Sequence, residues 1–174
     1  VLYLAPFSID FEDAAFNSKL NISNSSSMNK FIIGTDANAV YSGTYALYVS
    51  DDNSSYHYEI DDESASNFVT LKAKFPRGKY QISYDWKGKG ESNYDYGRIF
   101  LAPLTTNFVA STSAITGLNA HTIPAGCISL DDNDRLNGVS DWQHKEVTID
   151  ITQDNGYQLV IYWRNDYSTG NQPP

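Results

Sequence analysis

The strongest constraint on the fold is the alternation of apolar and polar residues between positions 79 and 86. Tyr80, Ile82, Tyr84 and Trp86 occupy one set of alternate positions, and polar residues occupy the other. A period of two is the period of a β-strand, so one face of this strand can pack while the other faces water. Because a large ring on an apolar strand face usually packs, we predict that Trp86 lies in a core.

Shorter stretches of the same kind recur along the chain, whereas convincing helical periodicity does not. The extended segments are residues 7–11, 31–35, 45–50, 56–60, 68–75, 80–86, 94–101, 143–151 and 157–164. About nine strands predict an all-β fold, a two-sheet antiparallel sandwich, within a single domain over residues 1–174. Its predicted core comprises Leu47, Val49, Ile82, Tyr84, Trp86, Ile99, Leu159, Ile161 and Trp163.

Several connecting stretches carry signals of their own. Pro76–Lys79 and Asp154–Gly156 contain the turn residues of tight hairpins, so each is predicted to join two paired strands. Residues 17–29 are rich in Ser and Asn and are predicted to form a mobile loop. Small and polar residues dominate positions 103–141, where we expect long loops, and Asp131–Asp134 is typical of a solvated acidic run.

The charge balance restricts the expected partners. The 174-residue chain has 12 Lys and Arg against 21 Asp and Glu, a formal net charge of −9. Nucleic acids and anionic membrane surfaces need clustered basic residues, so neither is an expected partner, whereas cations and neutral sugars are compatible with this charge. The single Cys127 cannot form a disulfide within the chain. Without an apolar run of about 18 residues, no membrane insertion is expected.

Residues capable of catalysis are present but form no recognisable catalytic motif. The candidate nucleophiles and bases are scattered, so we expect no enzyme activity: His57, His121, His144 and Cys127. Glu91 and Asp95 would suit glycoside hydrolysis only if they faced each other across a cleft.

Sugar binding needs exposed aromatic faces beside amides or carboxylates, because sugars present CH faces and paired hydroxyls. Tyr56, Tyr58, Tyr94, Tyr96 and Tyr167 are therefore candidate aromatic faces, and Tyr94, Tyr96 and Tyr167 with Glu91 are the predicted ligand-binding residues. Packing is the competing role for each of these tyrosines.

Four blocks of sequence together resemble one group of domains. Residues 11–13, 42–51, 84–103 and 162–174 contain FED, SGTYALYVSD, DWKGKGE with DYGRIFLAP, and WRND with a final PP. The combination is similar to MAM-like and galactose-binding-like jelly-roll modules of secreted multidomain Bacteroidetes proteins, related to cleaved-adhesin and choice-of-anchor domains. Gly97 departs from the pattern, which usually has an aliphatic residue there.

The resemblance implies a jelly roll with a calcium ion beside its first strand. Calcium prefers oxygen ligands supplied by separate loops. The glutamate and the SG loop of these modules correspond to Glu12, Ser42 and Thr44, which are the predicted ligands, with Asp36 or Asp51 contributing. A solvated acidic loop is the alternative for this region.

The resemblance also implies a function and a missing element. It suggests a non-catalytic binding or adhesion module, secreted or at the cell surface, for glycans or a cell-surface protein. A structural spacer without a ligand is the alternative, and a hydrolase is a third. Similar modules continue past the double proline into a last strand beside residues 7–12. The chain is therefore expected to be excised from a larger secreted protein, in which it has neighbouring domains. Without the last strand, the edge at residues 7–12 is expected to stay unpaired.

Overall fold

The computed structural model describes residues 2–61 and 64–174 and consists mostly of β-strands. In chain order the strands are β1 (Tyr3–Leu4), β2 (Asn21–Ser23), β3 (Lys30–Gly34), β4 (Ala46–Ser50), β5 (Ala65–Phe75), β6 (Gly78–Gly88), β7 (Tyr96–Pro103), β8 (Ile128–Ser129), β9 (Val139–Ile151) and β10 (Asn155–Asn165). A short helix, α1 (Ala14–Asn17), lies between β1 and β2. Within the two described ranges, no helix is long and apolar enough to cross a membrane.

The strands of the described residues form one six-stranded sheet and two strand pairs. The large sheet has the order β1-β5-β10-β7-β8, and β2 also pairs with β5. The strand pairs are β3–β4 and β6–β9, and the ladders are antiparallel except for β1–β5. The predicted all-β, antiparallel architecture is therefore confirmed, with one parallel ladder as an exception.

Both strand pairs stack on the same face of the large sheet. Ile149 of β9 belongs to a buried cluster with Leu101 of β7. Val49 of β4 belongs to a second cluster with Val69 of β5 and Trp163 of β10. These contacts between inner faces make the molecule a two-layered sandwich.

The two predicted hairpins are wrong, because both turns carry the chain from one layer to the other. Pro76–Lys79 connects β5 to β6, but β5 pairs with β10 and β6 pairs with β9. Asp154–Gly156 connects β9 to β10, which likewise belong to different sheets. The Arg77 N–H donates a hydrogen bond to Asp154 Oδ1 at 2.7 Å, which ties the two crossings together. Turn residues favour a reversal of chain direction. Such a reversal can connect two strands of different sheets as well as two paired strands of one sheet.

The Ser/Asn-rich segment is fixed to the sheet, so the prediction of a mobile loop is wrong. It contains β2, and Ser27 and Asn29 are each 1% exposed. The Asn29 side-chain amide donates to the Glu59 carbonyl at 2.8 Å, and the Asn29 carbonyl accepts from the Asn67 amide at 2.8 Å. Buried amides keep such partners because they have lost their hydrogen bonds to water.

The two faces of β10 differ in how deeply they are buried. Val160 and Tyr162 are fully buried on one face, where residues 104–127 pack over them. Leu159 and Ile161 point to the other face, between the layers, and are only partly buried. The long connection after β7 therefore covers one side of the large sheet more completely than the two strand pairs cover the other.

The unequal burial of the two faces of the large sheet shows which members of the predicted core are buried. Val49 and Trp163 are buried, at 3% and 5% exposed. The remaining predicted members are only partly buried: Leu47, Ile82, Tyr84, Trp86, Ile99, Leu159 and Ile161. All of them border one cavity of about 860 Å³ between the layers, which leaves part of each side chain uncovered. For these residues the prediction of a core position is therefore only partly right.

A buried ion pair fixes the connection after β7 to the sheet. The side chains of Arg98 and Asp131 have no exposed surface, and Arg98 Nε lies 2.7 Å from Asp131 Oδ2. Arg98 also donates to the Thr122 carbonyl at 3.2 Å. Asp131 is thus not solvated, contrary to the prediction for the acidic run, whereas the side chains of Asp132 and Asp134 are 66% and 63% exposed.

Candidate functional site

The predicted ligand-binding residues lie near the start of β7 and the end of β10. Tyr94 and Tyr167 are 53% and 68% exposed, and Glu91 is half-buried. Tyr96 is 4% exposed and packs in the same buried cluster as Tyr162. The prediction that Tyr96 binds a ligand is therefore wrong, because its ring lies on the covered face of β7.

Asp95 is a buried carboxyl group that joins three segments at this end of the molecule. It is 1% exposed, its Oδ2 accepts a hydrogen bond from the Tyr58 hydroxyl at 2.6 Å, and its Oδ1 accepts from the Asp166 N–H at 3.0 Å. Burial raises the pKa of Asp95 to about 7. A carboxyl group placed in this way links loops, and it is too deeply covered to serve with Glu91 as a pair of hydrolytic carboxylates across a cleft.

Glu12 contacts the loop that the resemblance pairs with it. Glu12 Oε1 accepts hydrogen bonds from the N–H groups of Thr44 and Tyr45 at 2.7 and 2.8 Å. Gly43, which follows Ser42, has a φ of +76°, and a Cβ there would lie 2.4 Å from Glu12 Oε1. Only glycine suits both this backbone conformation and the close approach of the carboxylate.

The two further calcium candidates have partners of their own. Asp36 Oδ2 accepts from the Tyr56 N–H at 2.7 Å, and this bond, followed by that from the Asn38 N–H, lowers the pKa of Asp36. Asp51 Oδ2 lies 2.7 Å from His57 Nδ1. In the ranges that the structure describes, no three Asp, Glu, His or Cys side chains converge as a metal-binding group. Calcium binding therefore stays a prediction.

Aromatic rings meet at the border of the cavity between the layers, where the register of the β6–β9 ladder shifts. The ring centroids of Tyr41 and Trp142 are 5.0 Å apart, and Tyr41 is 58% exposed. Lys87 Nζ lies 4.9 Å from the centroid of the Trp142 ring and 5.6 Å from that of Tyr56. We call Tyr41, Tyr56, Lys87 and Trp142 the aromatic patch. Cation–π attraction holds the ammonium group beside the rings, so the patch offers ring faces and a charged donor together.

Polar side chains lie on the outward face of the β6–β9 pair, next to the aromatic patch in the same strands. Asp85 lies opposite His144 in the β6–β9 ladder, with Oδ1 and Nδ1 2.8 Å apart. Ser83 lies opposite Glu146 at the next outward position. These four side chains face water because the alternation of β6 and β9 turns the apolar set inward. This outward face therefore offers hydrogen-bond donors and acceptors beside the aromatic patch.

The sequence analysis named Tyr56 as a candidate but missed its meeting with Tyr41, Lys87 and Trp142, because these residues come from distant segments. Tyr41 belongs to the connection between β3 and β4, and Trp142 belongs to β9. A local signal was nevertheless present in β9. In the sequence Trp142 shares its alternate positions with His144 and Glu146, so a tryptophan occurs in an otherwise polar alternate set.

No protein-family model matches the chain, and no curated protein matches it significantly. Among solved structures the chain is similar to TmCBM61 in complex with β-1,4-galactotriose, at 12% sequence identity. The match covers 94% of this chain and 92% of that chain, with a TM-score of 0.48. A likeness this distant transfers neither a ligand nor a site to the present chain, whose site is defined by its own residues.

Proposed function

We propose that this domain is a non-catalytic glycan-binding module, with the aromatic patch and the polar pairs beside it as its binding surface. The observation that carries the proposal is the contact of the exposed Tyr41 ring with the half-buried Trp142 ring, with Lys87 beside it. Sugars offer CH groups to aromatic faces and hydroxyls to nearby donors and acceptors. The formal net charge of −9 suits a neutral glycan better than an anionic one.

The polar pairs next to the aromatic patch support an extended ligand. Asp85 with His144 and Ser83 with Glu146 follow each other along the ladder. Outward positions of one strand are about 7 Å apart, since they are two residues apart at about 3.4 Å each. A glycan bound at the aromatic patch would thus meet these hydrogen-bonding pairs if it extended along β6 from Lys87 towards Asp85.

The wider setting of the module is part of the proposal. The sequence blocks that resemble secreted jelly-roll modules support a secreted or cell-surface protein with neighbouring domains, and a glycan or a cell-surface protein as the partner. Tyr94, Tyr167 and Glu91 form a second candidate surface, because both rings are largely exposed.

A glycan array followed by calorimetric titration tests the function and separates the two surfaces. The ligand found on the array is titrated into the wild type, Trp142→Ala, Tyr41→Ala and the control Tyr94→Ala. We expect Trp142→Ala to weaken binding about tenfold, which corresponds to the loss of about 1.4 kcal/mol of ring contact. Tyr94→Ala should leave the affinity unchanged, and Trp142→Phe should restore most of it.

The outcomes lead to different conclusions. Loss of binding in Tyr94→Ala, with full binding in Trp142→Ala, would move the site to the second surface. An array without any ligand would refute the proposal and leave the structural spacer as the better assignment. Release of shorter products from the bound glycan, abolished by Glu91→Gln, would show a hydrolase instead.

A further inference from the structure

A second, smaller cavity adjoins the aromatic patch at Tyr41. It has a volume of about 410 Å³ and lies in the connection between β3 and β4, where Thr35, Ala37 and residues 40–44 line it. All of these residues except Val40 are exposed, so the cavity is open to water. Ligand pockets usually have volumes of about 300–1,000 Å³, so this one suits a small chemical unit. We call it the loop pocket.

A short piece of chain separates the loop pocket from the cavity between the layers. Tyr41, Ser42 and Gly43 line both cavities. The same Tyr41 contacts Trp142 in the aromatic patch, and all four residues of that patch border the cavity between the layers. A ligand bound at the aromatic patch therefore lies next to the loop pocket, with only this short wall between them.

Two carboxylates hold the lining of the loop pocket in place. Glu12 Oε1 accepts a hydrogen bond from the Thr44 N–H at 2.7 Å. At the other end of the lining, Asp36 Oδ1 accepts from the Asn38 N–H at 2.8 Å, and Asp36 Oδ2 accepts from the Tyr56 N–H at 2.7 Å. A site whose walls are fixed before the ligand arrives loses less conformational freedom on binding, so these bonds favour affinity.

The lining of the loop pocket matches the surface of a neutral sugar. Thr35, Ser42 and Thr44 carry hydroxyl groups, which both donate and accept hydrogen bonds as the hydroxyls of a sugar do. Ala37 and Val40 add apolar surface for the CH groups of a sugar ring. None of the described residues that line the pocket has a charged side chain. A uronate, sulfate or phosphate group would therefore find no opposite charge in this lining.

We propose that the loop pocket is a subsite for one neutral sugar residue, next to the residue that contacts the rings of the aromatic patch. The bound glycan then spans at least two sugar residues, and Tyr41 borders both of them. This inference rests on the proposed glycan binding and names its ligand class, a neutral oligosaccharide recognised across a glycosidic linkage. It does not depend on whether the glycan also extends along β6.

The first test compares the affinities of saccharides of increasing length. Neutral mono-, di- and trisaccharides built from galactose, glucose, mannose or xylose are titrated calorimetrically into the wild-type chain. We expect the disaccharide of the preferred series to bind about tenfold more tightly than its monosaccharide, because the second residue adds hydrogen bonds in the loop pocket.

The second test fills the loop pocket. Thr35→Trp and Ala37→Trp each place a large ring at an exposed position of the lining, where the fold tolerates it. Each variant should bind the disaccharide only as tightly as the monosaccharide and bind the monosaccharide as the wild type does. Thr105→Trp, at an exposed position that lines neither cavity, is the matched control and should keep the preference for the disaccharide. Melting temperatures equal to that of the wild type show that the variants are folded.

The outcomes separate this inference from the proposed function. A wild type that binds mono- and disaccharides equally would overturn the subsite, and so would filling variants that keep the preference for the disaccharide. Binding that is lost in Trp142→Ala but unaffected by Thr35→Trp and Ala37→Trp would retain the glycan-binding function and refute the loop pocket alone. Absence of binding by every saccharide would refute both.

Discussion

Replacement of Asp95 by Asn is expected to remove a pH dependence of stability that this buried carboxyl group causes. Burial raises its pKa to about 7 in the folded protein, whereas an aspartate in an unfolded chain titrates near about 3.9. Between these values the folded state holds the proton and the unfolded state does not, so the free energy of unfolding falls as pH rises. A gap of about 3 pH units corresponds to about 4 kcal/mol, lost between about pH 4 and about pH 7, with no further loss above that range.

The Asp95→Asn variant keeps the size of the side chain and is neutral at every pH. Its carbonyl oxygen can still accept from the Asp166 N–H, and its amide can donate to the Tyr58 hydroxyl. Near pH 4 the variant should be about as stable as the wild type, since both groups are then neutral. Near pH 8 it should be more stable by about 4 kcal/mol, the free energy that ionisation of the buried acid costs the wild type.

Urea unfolding at closely spaced pH values from about 4 to about 8 measures this difference directly. The difference between the two curves of unfolding free energy against pH isolates the contribution of Asp95. The contributions of the other carboxyl groups cancel, including that of Asp36, whose lowered pKa changes stability in the opposite direction. Asp150→Asn, which removes an exposed carboxylate of β9, is the control. Its free energy of unfolding should change with pH in the same way as that of the wild type. Parallel curves for Asp95→Asn and the wild type would refute the argument from burial.

Three further predictions concern the ion pair, the cavity and calcium. Asp131→Ala should lower the free energy of unfolding by about 3–5 kcal/mol, because it leaves a buried guanidinium unpaired, whereas exposed Asp132→Ala should cost less than about 1 kcal/mol; similar losses in urea unfolding would contradict this. Trp163→Ala should cost about 3–5 kcal/mol, and Trp86→Ala clearly less, because Trp163 is 5% exposed whereas Trp86 is only partly buried; the reverse order would show that Trp86 is more deeply buried in solution. Calcium should raise the melting temperature through Glu12, so a chelator should lower it in the wild type and have no effect in Glu12→Gln. A wild type indifferent to chelator, with no ion in calcium-soaked crystals, would contradict the calcium site.

Much of the local structure was determined by the sequence itself. The alternation between residues 79 and 86 correctly predicted a strand with one inward and one outward face, because the pleat of an extended backbone turns successive side chains to opposite sides. The motif resemblance grouped Glu12 with Thr44 as calcium ligands, and the two residues are in contact although they are far apart in the chain. Both predictions depend on information carried by single segments or by a recognisable combination of them.

The tertiary structure decided which strands pair and how deeply each face is buried. Pro76–Lys79 has the residues of a hairpin turn, but β5 and β6 each pair with another strand, because the packing of whole layers selects the partners. Asp131 has the sequence context of a solvated loop, yet it lies against Arg98 beneath the large sheet. The aromatic patch exists because β9 and the connection between β3 and β4 meet in space. Pairing, burial and the candidate site all depend on contacts between distant segments, and a periodic pattern within one segment does not encode them.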